Sequence, residues 1–153
     1  MKESSVATLI SLNSSKKQLE DILENMIDIV ESDLWISVED CYSDNSYWMP
    51  TPKSEIDDCW DVIGIIEIDV NTDEIGKIIS LTHEVGHYFL DQDGDFGGDN
   101  HTMFTESLAW YLGYKYFKRM GYIIDMNVYK EEAHKCLSQY VRSLNEEENN
   151  DST

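Results

Sequence analysis

Positive charge is what this chain has least of. Eleven Lys and Arg stand against 31 Asp and Glu among 153 residues, a formal net charge of −20. A nucleic-acid or anionic-membrane partner held through phosphate contacts needs a basic footprint, and the sequence offers none. Any charged partner is expected to be basic, and the charge also keeps a small chain dissolved. Long apolar runs are missing too. The opening MKESSVATLISLNSSKK has one short apolar stretch, broken by Thr8, Ser11 and Asn13. No signal peptide or transmembrane span is expected, and the protein reads as cytoplasmic. Cysteine is sparse: Cys41, Cys59 and Cys136 form neither a CxxC pair nor a disulfide framework, so reduced thiols are expected. No internal repeat is visible.

What remains is a chain of single-domain length with a 41% hydrophobic fraction, enough for a core. Residues 14–32 predict an amphipathic helix, capped by Ser14 or Ser15, with Leu19, Ile22, Leu23, Met26, Ile27 and Val30 on its apolar face. Alternation over 34–40 predicts a strand. The polar stretch 41–60, with Pro50 and Pro52, predicts a loop with a short strand near Tyr47-Trp48-Met49. The Ile- and Val-rich run 61–70 is the best strand signal. Asn71 or Thr72 can cap a following helix that runs to about Leu90. After the loop 91–101, Thr102 can cap a helix through about Met120, which Gly121 can end. A last helix is expected over roughly 125–147. The fold class is α+β, a small sheet packed by helices, with one domain over 1–145 and a disordered acidic tail at 146–153.

The second predicted helix carries His83-Glu84-Val85-Gly86-His87. Imidazoles four residues apart project from one face of a helix, so both can hold a single zinc ion. Glu84 falls beside that ion, where it can take a proton from an activated water. A catalytic zinc site needs a third protein ligand. Glu106 lies on the next helix, which a helical hairpin can fold back over the first, and Gly86, Ala109 and Gly113 are small enough for close helix contact. Its neighbours Met103, Phe104, Leu108 and Trp110 are apolar, so its carboxylate needs a partner. Asp93 is the other candidate; it needs a sharp turn with glycine three residues after His87, and Leu90 stands there. Asp91 can hydrogen-bond a histidine from behind. The loop 91–101 partly follows a calcium-loop spacing, but Phe96 and Thr102 occupy the positions of the required glycine and bidentate glutamate. That segment reads instead as an acidic rim. Trp110, Tyr111, Tyr114 and Tyr116 read as core and groove wall.

HEVGH followed by Glu106 in TESLAWYLG resembles the gluzincin clan of zinc metallopeptidases, nearest to small ImmA/IrrE-type and minimal gluzincin peptidases. The resemblance covers about residues 61–120. It implies one zinc ion held by His83, His87 and Glu106, with Glu84 as general base. It also implies that the 61–70 strand is the sheet edge above the cleft, where an extended substrate adds by main-chain hydrogen bonds. The chain departs from the pattern twice. Asp91 stands where many ImmA/IrrE-type members have a further histidine. Trp110 stands where larger gluzincins place an acidic residue that orients a histidine. His101, Tyr111 and Tyr114 are the candidates for a transition-state donor. The expected function is a zinc metallopeptidase acting on a cytoplasmic protein or peptide, with a basic substrate favoured by the charge. The rival reading is a non-catalytic acidic binding module with a structural zinc site.

Overall fold

The computed structural model describes residues 7–42, 46–50, 63–93 and 102–151. The order of elements is β1 (Thr8–Ile10), α1 (Lys16–Leu34), β2 (Ile36–Cys41), β3 (Tyr47–Pro50), β4 (Gly64–Asp69), α2 (Glu74–Asp93), α3 (Met103–Arg119), β5 (Tyr122–Ile124) and α4 (Met126–Asp151). The class is α+β, as the sequence predicts. Among the described residues no helix is long and apolar enough to cross a membrane.

Helix α1 starts at a full capping box. The Ser15 hydroxyl accepts from Gln18 N–H, and the Gln18 side chain accepts from Ser15 N–H. Its buried stripe is Leu19, Ile22, Met26, Val30 and Leu34. The helix runs two residues past the predicted end because Leu34, four after Val30, continues that stripe. Leu34 therefore belongs to the helix and not to the strand. The reversal falls on Trp35, which adopts a left-handed conformation with φ 58°, and β2 begins at Ile36.

Three strands form a sheet in the order β2-β4-β3. Strand β4 pairs in parallel with β2, Ile36 opposite Gly64, and antiparallel with β3, Trp48 opposite Ile66. The Ile-rich strand is thus the centre of the sheet. This corrects the expectation that the 61–70 strand is the edge. The physical reason is burial: Gly64, Ile66 and Ile68 are buried and the residues between them half-buried, which suits a strand covered on both sides. The edge near α2 is β3. A second, two-stranded sheet that the sequence did not signal pairs β1 in parallel with β5. Three-residue strands carry too little periodicity to be read.

Helix α2 is capped by Asp73, whose Oδ1 accepts from Gly76 N–H at 2.8 Å, and not by Asn71 or Thr72. Helix α3 is capped by Thr102, as predicted, in a reciprocal pair with Thr105. It ends before Gly121, which takes φ 95° without steric cost. Asp125 accepts from the N–H groups of Asn127 and Val128 at the start of α4. The α4 backbone stays helical to Asp151, through most of the segment read as a tail; no Gly or Pro interrupts it. One core gathers Met26, Val30, Ile36, Ile66, Ile78, Leu81, Val85, Phe117 and Ile124 from all layers.

Candidate metal centre

The centre lies where α2 and α3 meet without intervening side chains. A Cβ on Gly86 would stand 1.8 Å from the Ala109 carbonyl oxygen, and one on Gly113 would stand 1.8 Å from that of Thr82. Only hydrogen fits at either position, so the helices touch backbone to backbone. This contact brings Glu106, in the first turn of α3, against two side chains one turn apart on α2.

Glu106 Oε2 lies 3.2 Å from His83 Nε2, and Oε1 lies 3.3 Å from His87 Nε2. The two Nε2 atoms are 3.1 Å apart. The carboxylate thus bridges the two imidazoles, one oxygen to each, and one ligand atom from each of the three residues lies within 4.8 Å of the others. Ligands at the corners of a tetrahedron with zinc-type bond lengths are separated by about 3.3 Å. The donor set therefore has the spacing and the chemistry to hold a metal ion, and His83, His87 and Glu106 form such a group among the described residues.

Glu84 follows His83 and is 6% exposed. Burial pushes its carboxyl up to about 8; the Glu106 charge adds to that, while His87 and the main-chain N–H of Trp48, which donates to it, act against it. Burial lowers the His83 pKa. At His87 burial acts the same way, but the carboxylates of Glu106, Glu84 and Asp91 outweigh it and raise the value. Burial disfavours the Glu106 charge, yet the two imidazoles hold its carboxyl well below the usual range. In the metal-free chain Glu106 is thus the anion and Glu84 the proton holder.

The sheet reaches this centre through Trp48 of β3. Its indole N–H donates to Asp91 Oδ2, and its ring stands edge-on to Tyr88 of α2, 5.4 Å between centroids. Asp91 thus accepts from a tryptophan of the sheet, and its charge acts on His87. Trp110, one turn after Glu106, stacks on the His83 ring. Tyr114 packs against Tyr129 of α4 at 5.2 Å. Tyr111 is exposed under Lys115. The segment read as an acidic rim begins as helix, since α2 continues through Asp91 to Asp93; residues 94–101, His101 among them, and the Asp93 side chain lie outside the described residues.

Sequence reasoning missed Trp48. Its place in a polar, proline-flanked stretch gives no hint that it meets α2. Trp110 was legible in principle, because four residues after Glu106 is the same helical face. Set beside known protein families, curated proteins and solved structures, the chain matches none of them.

Proposed function

We propose that the protein is a zinc-dependent metallopeptidase of gluzincin type, acting on a protein or peptide in the cytoplasm. The observation that carries this reading is a carboxylate that bridges two imidazole nitrogens 3.1 Å apart, one oxygen to each at 3.2 and 3.3 Å, with a buried second carboxylate beside it. His83, His87 and Glu106 would hold the ion, three protein ligands being the number that leaves a position open to solvent. Bound zinc supplies a Lewis acid that polarises a carbonyl and lowers the pKa of water toward neutrality. Glu84 does the proton work: its carboxylate accepts a proton from the attacking water and hands it to the leaving amide nitrogen. Burial raises the basicity of this carboxylate and a cation beside it would hold it ionised, the two opposing influences that a general base beside a metal requires.

Strand β3 supports the same reading. Among the described residues it is one of the two edge strands of the sheet, its main chain reaches Glu84, and an extended peptide can add to such an edge. The net charge of −20 favours a basic substrate. Metal analysis of the purified chain, with Glu84→Gln and Glu106→Ala beside it, tests the proposal. Glu84→Gln retains zinc and loses peptide hydrolysis; Glu106→Ala loses zinc. A wild-type chain that purifies and reconstitutes without metal removes the reading. Unchanged capture of a basic partner by a Glu84→Gln protein that never showed turnover favours the acidic binding module instead.

A further inference from the structure

A histidine that holds a metal through one ring nitrogen normally donates its other N–H to a carboxylate, a carbonyl or water, and that bond fixes the ring. His83 is held differently. Its Nδ1 is buried and has no hydrogen-bond partner among the described residues. Its ring lies flat against Trp110 instead, centroids 4.2 Å apart and planes 26° from parallel. Trp110 is itself immobilised. It is 8% exposed, Tyr129 of α4 stands edge-on to it at 5.2 Å, and the Tyr129 hydroxyl donates to the Trp110 carbonyl oxygen. The indole N–H has no oxygen or nitrogen partner among the described residues and faces the Cys136 sulfur of α4, so α4 holds that ring through packing and a weak sulfur contact. Glu106 and Trp110 are four residues apart, so one face of α3 delivers both the carboxylate and the indole.

We propose that Trp110 is a positioning residue for metal binding, its indole face fixing the plane of the His83 ring in place of a hydrogen bond to Nδ1. The inference rests on the reading of His83, His87 and Glu106 as a metal site. Its chemistry differs from that of a bonded ring. A stack resists tilting of the imidazole out of its plane, and Glu106 at Nε2 resists rotation within it. A stack does not, however, draw on the N–H and so does not raise the basicity of the ligand nitrogen. His83 is then a softer-held and weaker donor than a histidine whose second nitrogen is hydrogen-bonded.

The test uses the full chain as wild type, Trp110→Phe and Trp110→Leu. Zinc affinity is read by chelator competition, and ligand geometry by the visible absorption of the cobalt-substituted protein. Phenylalanine keeps a flat aromatic face; leucine fills the space without one. The expected result is Trp110→Phe within a few-fold of wild type. Trp110→Leu should be weaker by about tenfold or more, the range seen when a supporting partner of a metal ligand is lost, with an altered cobalt spectrum. Equal affinity and equal spectra for the two variants overturn the proposal and leave the metal site standing. A wild-type chain that binds neither metal overturns both. Should the leucine variant not fold, proton spectra of the wild-type chain decide. The His83 ring protons lie upfield, under the indole ring current, before and after zinc is added. Ring protons at unshifted positions in the zinc-loaded chain overturn the proposal.

Discussion

Between α1 and α2 the interior is filled by branched and long aliphatic side chains: Leu19, Ile22, Met26 and Val30 from one helix, Ile78, Leu81 and Val85 from the other. Where α2 and α3 cross, at Gly86, Ala109 and Gly113, that filling is absent and the backbones touch, with aromatic pairs to either side. The first contact yields stability and tolerates repacking, because aliphatic side chains have alternative rotamers and neighbours that give. The second fixes a distance. Carbonyl groups cannot give way, so the helix separation is set to a few tenths of an ångström, and with it the spacing of the three donor atoms.

The widest difference between the two regions should come from a change on the aliphatic side. Met26→Ala removes a side chain that is 0% exposed and should lower unfolding free energy by about 2–5 kcal/mol in a denaturant titration. Zinc affinity of the folded fraction should stay at the wild-type value; a parallel loss of affinity would erase the distinction between the two contacts. Gly113→Ala probes the other side. Forcing a methyl against the Thr82 carbonyl costs about 1–3 kcal/mol, offset by up to about 1 kcal/mol from removing glycine from a helix. The net effect is a loss of stability, and zinc affinity should fall with it by roughly tenfold or more, because helices pushed apart at that contact lose the donor geometry. Wild-type affinity in that variant would mean that the helix contact does not set the donor spacing.

Smaller effects sharpen the contrast. Thr102→Ala deletes the cap one residue before α3 and should cost about 1 kcal/mol in stability. Because Glu106 lies in the first turn, zinc should also leave this variant faster in a chelator chase. A different kind of effect, read along pH, concerns Glu84 in the metal-free chain. Its folded-state pKa, about 8, exceeds the ordinary carboxyl value of 4.5. The folded form therefore holds a proton that the unfolded form releases, and stability falls as pH rises between those two values. In chelator, wild type should lose stability relative to Glu84→Gln from pH 5 to pH 8; parallel curves would contradict the burial assigned to that carboxyl.

The parts of this arrangement that repeat along a helix were readable in sequence. His83 and His87 one turn apart, the small residues Gly86, Ala109 and Gly113, and the Thr102 cap all express a 3.6-residue period or a local hydrogen bond. The contribution of β3 was not readable. The link from Trp48 to Asp91 spans 43 positions, and no local pattern encodes which strand lies nearest a helix. The order β2-β4-β3 was hidden for the same reason: an Ile-rich run shows that a strand is covered, and the central place of β4 follows only from its pairing on both sides. At Leu34 the two periods coincide, since it continues both the stripe of α1 and the alternation with Ile36.

The bidentate posture of Glu106 has a thermodynamic corollary. Its two oxygens rest against both imidazoles, and with its neighbours it raises the pKa of His87. An imidazolium must give up its proton before it can ligate, so cation uptake through His87 is an exchange reaction, ion in and proton out. Calorimetric heats of zinc association should scale with the ionisation enthalpy of the buffer, and an unbuffered solution should acidify as the metal is titrated in.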